Sequence, residues 1–280
     1  MLKGGVEIES AGPIGVFDSG FGGLSILERI RSVLPQYDYI YLGDNARTPY
    51  GSRSFKVVYD YTCQCVDKLF QMGCNLVILA CNTASAKALR TIQQKDLGAN
   101  PQKRVLGIIR PTAECAGSLT KTGHIGILAT PGTVKSESYL IEIAKLYPDI
   151  VVRQQECPLL VPLVETGEFM SEGAGFFVRK YVDALLAKDN QIDAVILGCT
   201  HYPILFDTIR RFVPENINVV TQGDYVADSL QKYLQRHAEL ESAVTKHGTC
   251  RYYTTESEET FLQTAKIFLK ENIEVSTVVL

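Results

Sequence analysis

Two short motifs place a cysteine where it could act as a base or a nucleophile. They read ACNTAS at residues 80–85 and GCTHYP at residues 198–203. In each motif an apolar run ends at the cysteine, Cys81 or Cys199, and a helix-like segment follows. The N-terminus of a helix favours a thiolate, which is the reactive form of cysteine. The two motifs are therefore candidate sites of thiol chemistry.

Polar residues beside the two cysteines allow two interpretations. The amide of Asn82 and the hydroxyl groups of Thr83 and Thr200 can bind a carboxylate. Asn and Thr are also common helix caps, so either motif alone fits a purely structural role. The occurrence of two such motifs favours the functional interpretation.

A third segment, GVFDSGFGG at residues 15–23, is a glycine-rich loop after an apolar run. Its pattern is neither that of a dinucleotide-binding loop nor that of a P-loop. Asp18 would repel a phosphate but suits an ammonium group, and Ser19 can donate a hydrogen bond to a carboxylate. The loop fits a zwitterion better than a nucleotide, although both residues could simply cap the next helix.

Short apolar, β-branched runs alternate with longer segments of helical period along the chain, which predicts βαβ units. The runs are almost continuously apolar, as expected for parallel strands covered by helices on both faces. The fold class is therefore α/β with doubly wound parallel sheets. Predicted strands are at 13–17, 39–44, 76–80, 104–109, 124–129, 193–198, 217–221, 250–255 and 275–280, and late helices at 224–239 and 257–271.

Two pairs of segments resemble each other in the same order, which favours an internal duplication. IGVFDSG at 14–20 is similar to IGILATPGT at 125–133, and NLVILACNTAS at 75–85 is similar to DAVILGCTHYP at 193–203. The second pair aligns the two cysteines. We expect two pseudo-symmetric domains that face a central cleft, with one cysteine from each.

The domain boundaries are expected near residues 105 and 215. The first domain would comprise residues 12–104 plus 216–280, with the C-terminal segment returning to it. The second domain would comprise residues 105–215. This division depends partly on the family resemblance described below.

Composition argues against several other classes of protein. The chain has 28 Lys and Arg against 31 Asp and Glu, intermixed, so nucleic acid is not an expected partner. The first ten residues lack an apolar signal region, and no segment reaches the roughly 18 apolar residues of a membrane span. A cytoplasmic protein that does not bind membranes is expected.

The eight cysteines fit neither a disulfide framework nor a metal site. A chain of 280 residues does not need disulfides for stability, no C-x-x-C pair occurs, and the four histidines are scattered. Most of the cysteines are expected to be reduced and buried. We predict no metal.

Six segments together resemble the successive motifs of bacterial glutamate racemase, within the aspartate/glutamate racemase superfamily. They span nearly the whole chain, and the DSGFGG and TPYG motifs are similar to the glutamate branch in particular. Two segments depart from the family pattern: GIIRPTAECA lacks an expected glycine, and TQGDYVADSL has Gln-Gly where an Asp-Ser-like pair is expected. The six segments are GVFDSGFGGLS, YLGDNARTPYG, CNTAS, GILATPGT, CPLLVPLVETGE and LGCTHYP.

The resemblance implies racemisation of glutamate by two bases, without a cofactor, and a supply of D-glutamate for peptidoglycan. Such a reaction removes the α-proton from one face and returns a proton to the other, so it needs one thiolate and one thiol. By resemblance, Cys81 acts on D-glutamate and Cys199 on L-glutamate. Asp18 would assist Cys81, and Glu165 and His201 would assist Cys199.

The resemblance also carries the substrate contacts of the family to this chain. Their residue types are intact at Asp18, Ser19, Tyr50, Gly51, Asn82, Thr83, Thr200 and His201. Thr130 and Thr133 are further candidates for binding a carboxylate. Without the resemblance, Glu165 would be read as a solvated loop acid and His201 as a polar residue at a helix start.

Two other functions stay open at this point. One is racemisation of aspartate or another amino acid, which the cysteines do not exclude. The other is a non-catalytic ligand-binding protein, for which the cysteines would be dispensable. A homodimer also stays open, since the sequence does not reveal the oligomeric state.

Overall fold

Ten strands in two parallel sheets form the framework of the part of the chain that the structure describes. The structure is a computed structural model that describes residues 11–97 and 102–280. The first ten residues, for which the sequence predicts no signal region, lie outside the described residues. The strands are β1 (Ile14–Asp18), β2 (Tyr39–Gly43), β3 (Leu76–Leu79), β4 (Arg104–Gly107), β5 (His124–Ala129), β6 (Val151–Glu156), β7 (Ala194–Gly198), β8 (Asn218–Val220), β9 (Cys250–Thr254) and β10 (Val275–Thr277).

Helices cover both sheets. Short 3₁₀ turns occupy Asn45–Arg47, Glu168–Met170 and Tyr202–Leu205, and a π-helical turn occupies Ile92–Asp96. The α-helices are α1 (Gly23–Val33), α2 (Phe55–Gln71), α3 (Asn82–Lys87), α4 (Leu89–Thr91), α5 (Ile109–Glu114), α6 (Ala116–Leu119), α7 (Pro131–Lys135), α8 (Ser138–Leu146), α9 (Leu160–Glu165), α10 (Glu172–Leu186), α11 (Phe206–Phe212), α12 (Gly223–Arg236), α13 (Ala238–Ser242) and α14 (Glu258–Ala265).

The first sheet has the strand order β10-β9-β2-β1-β3-β4, and the second sheet has the order β6-β5-β7-β8. Every residue of β1, β2, β3 and β7 is buried. Central strands buried on both faces explain the continuous apolar runs in the sequence. The predicted α/β class with parallel sheets is confirmed.

The register of the central strands supports the internal duplication. In the first sheet Gly15 of β1 lies opposite Val77 of β3. In the second sheet Gly126 of β5 lies opposite Val195 of β7. These are the residues that the two sequence similarities align, so the same pair of strands, in the same register, is built twice. Equivalent strand ends then carry equivalent residues.

Strand β6 was not predicted from the sequence. It lies at the edge of the second sheet, and its residues are mostly half-buried, with only Val152 fully buried. An edge strand that faces solvent does not need an apolar run, so the polar segment VVRQQE gives little signal. The two predicted late helices are both shorter than expected. Helix α12 ends at Arg236, and helix α14 ends at Ala265.

The sheets indicate how the predicted domain division should be adjusted. Strand β4 pairs with β3 in the first sheet, whereas β8 pairs with β7 in the second sheet. The expected boundary at 104/105 falls inside β4, and the one at 215/216 precedes β8. We propose boundaries near residues 108 and 222, with the C-terminal segment returning to the first sheet through β9 and β10.

The structure also bears on membrane insertion, metal binding and disulfide formation. Among the described helices, none is both long and apolar enough to cross a membrane. Within the same residues, no group of three or more His, Cys, Asp or Glu side chains is placed to hold a metal ion. All eight cysteines lie in the described ranges as free thiols, and five of them are buried.

Candidate active site

The carboxyl ends of four strands carry the predicted polar residues to one cavity between the two sheets. In parallel α/β sheets this edge is where ligands bind, because the strands end there and the loops leave the backbone accessible. Ser19 follows β1, Cys81 follows β3, Thr130 follows β5 and Cys199 follows β7, and all four side chains line the cavity. Each sheet thus contributes one thiol and one hydroxyl group.

Cys81 caps helix α3. Its backbone is extended, and its Sγ accepts a hydrogen bond from the Ala84 N–H at 3.4 Å. The Ser19 hydroxyl lies 3.3 Å from the same Sγ. Burial, followed by the nearby Asp18 carboxylate, raises the pKa of Cys81 to about 12, and the two hydrogen bonds only partly oppose this. The helix N-terminus alone therefore does not produce the expected thiolate, and Cys81 is a thiol at neutral pH.

Cys199 lies beside an imidazole instead of a hydroxyl group. The Nδ1 atom of His201 is 3.9 Å from Cys199 Sγ, and its Nε2 atom is 2.9 Å from Glu165 Oε1. Burial lowers the pKa of His201, but the hydrogen bonds with Cys199 and Glu165 outweigh it and raise that pKa to about 10. The ring is therefore an imidazolium at neutral pH, which favours a thiolate at Cys199.

Asp18 is fully buried, and its charge acts on the Cys81 thiol. Its Oδ1 accepts a hydrogen bond from the Gly20 N–H at 2.8 Å, and its Oδ2 accepts one from the Thr200 hydroxyl at 3.4 Å. Burial raises the pKa of Asp18 to about 6, against the opposing effect of the His201 charge. The carboxylate is ionised at neutral pH and is suited to a cationic group.

The glycine-rich loop after β1 allows this close contact between the sheets. A Cβ atom on Gly22 would clash with Thr200 and would lie only 2.5 Å from His201 Nδ1. Only glycine leaves room for the Cys199 motif to approach the Asp18 loop. The loop that superficially suggests phosphate binding thus serves the packing of the two cysteine sites.

Tyr50 and Gly51 lie on the loop after β2 and line the same cavity. The Tyr50 hydroxyl donates to the buried carboxylate of Asp44, so it is engaged inside the first sheet. The Gly51 carbonyl accepts a hydrogen bond from the Gly132 N–H at 2.8 Å, and a Cβ on Gly51 would be 2.9 Å from Thr130. This loop therefore joins the first sheet to the loop after β5.

Three threonine hydroxyl groups form a buried cluster across the two sheets. Thr83 Oγ1 is 2.9 Å from Thr130 Oγ1 and 3.4 Å from Thr133 Oγ1, and Thr130 Oγ1 is 3.1 Å from Thr133 Oγ1. Thr83 and Thr130 line the cavity, whereas Thr133 lies behind them. Hydroxyl groups can turn to donate, so this cluster is suited to an anionic group.

The structure brings most of the predicted residues to the cavity itself. Asp18 and Glu165 do not line it, but each is hydrogen-bonded to a residue that does, Thr200 and His201 respectively. Sequence reasoning missed Thr48, whose hydroxyl donates to Glu165 at 3.3 Å, and the apolar residues Pro158, Val161 and Pro162. The predicted residues that line it are Ser19, Tyr50, Gly51, Cys81, Asn82, Thr83, Thr130, Cys199, Thr200 and His201.

The chain is similar to known proteins in sequence and in fold. The sequence model of the family described as Asp/Glu/Hydantoin racemase matches residues 23–237. The glutamate racemase of Roseobacter denitrificans is 40% identical to the chain, over 94% of this chain and 98% of that protein.

Two solved structures are similar over nearly their whole length. A glutamate racemase isoform from Bacillus anthracis has a TM-score of 0.87 at 32% identity, covering 98% of this chain and 99% of that one. Glutamate racemase from Francisella tularensis in complex with D-glutamate has a TM-score of 0.83 at 32% identity, covering 95% and 97%. The chain therefore belongs to the Asp/Glu/hydantoin racemase family and, within it, to the glutamate racemases.

Proposed function

We propose that this chain interconverts L- and D-glutamate, with Cys81 and Cys199 as the two bases. The observation that carries the proposal is that both thiols line one cavity in complementary environments. Cys81 is held as a thiol by burial and by Asp18, while Cys199 lies beside an imidazolium. One thiol and one thiolate are what a proton transfer across two faces needs.

In the direction from L- to D-glutamate, the Cys199 thiolate removes the α-proton and becomes a thiol. The electron pair left on the α-carbon is delocalised into the α-carboxylate. Cys81 then delivers its S–H proton to the opposite face and becomes a thiolate. The reverse reaction exchanges the two roles, and only residues of this chain take part in each step.

The groups around the thiols suit the two charges of an amino acid. We assign the substrate ammonium group to Asp18, a buried carboxylate whose charge raises the pKa of the neighbouring Cys81 thiol. We assign the carboxylates to the Asn82 amide and the Thr83 hydroxyl, with Thr130 as a further donor. Ser19 and Thr200 join them when their hydroxyl hydrogens turn away from Cys81 and Asp18. Tyr50 and Gly51 would contribute through the position of their loop, because the Tyr50 hydroxyl is already bonded to Asp44.

His201 and Glu165 have a supporting role in this proposal. The imidazolium donates to Cys199 from Nδ1 and to Glu165 from Nε2, so the carboxylate fixes the ring and balances its charge. Glu165 also receives a hydrogen bond from Thr48 of the first sheet. The pair therefore holds the Cys199 thiolate in a defined place between the sheets.

The cavity must enlarge before it can hold the substrate. Its volume is about 50 Å³, which is room for only a few water molecules and is smaller than glutamate. The loops from the two sheets meet at the cavity through contacts such as the hydrogen bond from the Gly132 N–H to the Gly51 carbonyl. We propose that these loops separate to admit glutamate and then close, which excludes water from the thiolate.

The family role suggests that the D-glutamate formed is used for peptidoglycan in the cytoplasm. The substrate is a small amino acid, and neither nucleic acid nor a membrane takes part in the reaction. Assembly as a homodimer stays a prediction, which analytical ultracentrifugation of the purified protein would test. A single sedimenting species at the mass of one chain would contradict it.

The test of function is the incubation of purified, reduced protein with D- or L-glutamate in deuterated water, without an added cofactor. Loss of optical rotation and incorporation of α-deuterium should proceed together, because every inversion exchanges the α-proton. Aspartate and other amino acids are measured in parallel, and faster turnover of aspartate would favour the alternative substrate.

Two results would contradict the proposal. Glutamate left unchanged by well-folded protein would exclude this substrate, and racemisation that survives removal of either cysteine would exclude the two-thiol mechanism. Cys63→Ser is the matched control, because Cys63 is partly exposed and lies outside the cavity. It should retain full activity.

A further inference from the structure

Behind Asn82 the structure contains a closed ring of three side-chain hydrogen bonds. Asn82 Nδ2 donates to Gln222 Oε1 at 2.7 Å, and Gln222 Nε2 donates to the Tyr139 hydroxyl at 2.8 Å. The Tyr139 hydroxyl in turn donates to Asn82 Oδ1 at 2.7 Å. Each member donates once and accepts once around the ring, so the three hydrogen bonds have one consistent direction.

Gln222 is the residue on which the direction of the ring depends. The second hydrogen of its amide donates to Thr112 Oγ1 at 2.9 Å, and Thr112 donates to the Ile108 carbonyl at 3.0 Å. Because Thr112 uses its own hydrogen for that carbonyl, it can only accept from Gln222. The amide nitrogen of Gln222 is therefore fixed on the side of Thr112 and Tyr139.

A helix-capping role does not explain this glutamine. Gln222 stands at the N-cap position of α12, but its side chain makes no capping hydrogen bond. The residue is 2% exposed and Asn82 is 1% exposed, so both amides are fully inside the protein. Leaving either amide without partners there would be costly. The sequence departs from the family pattern at this Gln-Gly pair.

The ring determines which way the Asn82 amide faces. If that amide were flipped, its oxygen would face the Gln222 oxygen, and its nitrogen would face a Tyr139 hydroxyl that already accepts from Gln222. Asn82 lines the cavity beside Cys81, whereas Gln222 and Tyr139 do not. The ring uses only one of the two hydrogens on Asn82 Nδ2, which leaves the second for another acceptor.

We propose that Gln222 is a positioning residue that, with Tyr139, orients the Asn82 amide to donate to a carboxylate of the substrate. The proposal rests on the glutamate racemase function proposed above. The three residues of the ring come from α3, from α8 and from the N-cap position of α12. The ring therefore also connects Asn82 to α8, which belongs to the second half of the molecule. Gln222 itself touches neither the substrate nor the thiols.

The test compares Gln222→Met, which keeps the length of the side chain but removes both hydrogen-bonding groups, with Tyr139→Phe. Both variants open the ring next to Asn82. We expect KM for glutamate to rise by about tenfold, the effect of one misdirected hydrogen bond to a charged group. The value of kcat should change much less, because the two thiols and their neighbours are intact. Gln235→Met, an exposed change on the same helix, is the matched control.

A double-mutant cycle separates positioning from a general loss of stability. In an Asn82→Ala background, Gln222→Met should raise KM little further, because the amide that it orients is absent. Full additivity of the two changes, or an unchanged KM in both single variants, would overturn the proposal. Thermal unfolding of each variant shows which proteins are folded. If Gln222→Met is not folded, the same cycle is measured with Tyr139→Phe.

Calorimetric binding of D-glutamate distinguishes this inference from the proposed function. Wild-type protein that binds D-glutamate without racemising it would contradict the function, while weaker binding to Gln222→Met would still support the ring. Wild-type protein that neither binds nor racemises glutamate would contradict both. Racemisation by wild type with unaltered binding to Gln222→Met would contradict the ring alone.

Discussion

The two cysteine sites are built on the same backbone frame but have different chemistry. Each thiol follows a central strand of its sheet, and each residue is 6% exposed. The neighbours of Cys81 are a hydroxyl, a backbone N–H and a buried carboxylate, whereas Cys199 has an imidazolium backed by a carboxylate. Equal burial is thus combined with different neighbours, because the side chains that follow each strand differ.

In our proposal this difference sets the resting state of the two thiols. The thiol at Cys81 and the thiolate at Cys199 form the arrangement that acts on L-glutamate in our proposal. Turnover of L-glutamate leaves the opposite arrangement, so one proton must be redistributed between the thiols before the next L-glutamate molecule reacts. The duplicated strands place one thiol from each sheet at the cavity. The different side chains around the two thiols make their environments unequal.

The largest effect is expected from removal of either thiol. Cys81→Ser and Cys199→Ser should each lower racemisation by about 10²- to 10⁴-fold, the usual contribution of one acid or base. Cys81→Ser retains Cys199, which is the thiolate in our proposal. This variant should still exchange the α-proton of L-glutamate for deuterium without inversion. Mass spectrometry and optical rotation would measure exchange and inversion separately. Equal exchange of both enantiomers by both variants would contradict the asymmetry.

A smaller effect is expected from His201→Asn, which removes the imidazolium beside Cys199. A hydrogen bond to a charged group is worth about 1.5–3 kcal/mol, so kcat/KM should fall by about 10- to 100-fold. The fall must be equal in both directions, because the two enantiomers have the same free energy. His247→Asn, at an exposed histidine, is the control and should have little effect.

Alkylation at neutral pH would localise the effect of His201→Asn. In the wild type, iodoacetamide should modify Cys199 faster than Cys81, and glutamate should protect both. Since the two residues are equally buried, the difference in rate reports ionisation and not access. His201→Asn should slow modification of Cys199 alone. A wild type in which Cys81 reacts faster would reverse our assignment of the resting thiolate.

The pH dependence of the reaction tests Asp18. Its pKa is raised to about 6, so the carboxyl is neutral below that pH and ionised above it. Because the ionised form is needed to bind the ammonium group, kcat/KM should fall as the pH falls through about 6. Asp18→Asn should lower kcat/KM at neutral pH by about tenfold and should remove this dependence. A low-pH limb that persists in the variant would assign it to another group.

The strands and the strand-end cysteines of the site could be predicted from sequence, because each depends on a short segment of the chain. The apolar runs, the strand-end cysteines and the duplication are all visible in short segments, and Cys81 and Cys199 were found in this way. The contacts that separate the two sites are tertiary. Nothing in residue spacing places Thr200 on Asp18, or Thr48 on Glu165, because each pair joins segments that are far apart in the chain.

Ionisation was the least predictable property. The helix starts in the sequence favour a thiolate at both sites, but burial outweighs the helix terminus at Cys81, and burial depends on the whole fold. Gln222 gave a signal only as a departure from the family pattern, and its partners Asn82 and Tyr139 are far away in the chain. Strand β6 was missed because an edge strand can be polar.

The smallest effect is expected from Ser19→Ala, which tests the Cys81 side alone. The Ser19 hydroxyl is 3.3 Å from Cys81 Sγ and lowers the pKa of that thiol against the larger opposing effect of burial. One neutral hydrogen bond is worth about 0.5–1.5 kcal/mol, so kcat/KM should fall by about two- to tenfold. Ser32→Ala, on the exposed face of α1, is the control.

The site-specific readout is again alkylation. Without the hydroxyl donor, Cys81 should be modified more slowly at alkaline pH, while the rate at Cys199 stays the same, because Ser19 has no contact with His201 or Glu165 among the described hydrogen bonds. If Ser19→Ala slowed both thiols equally, the two sites would titrate as one coupled unit. The separate environments seen around Cys81 and Cys199 would then not translate into separate proton affinities.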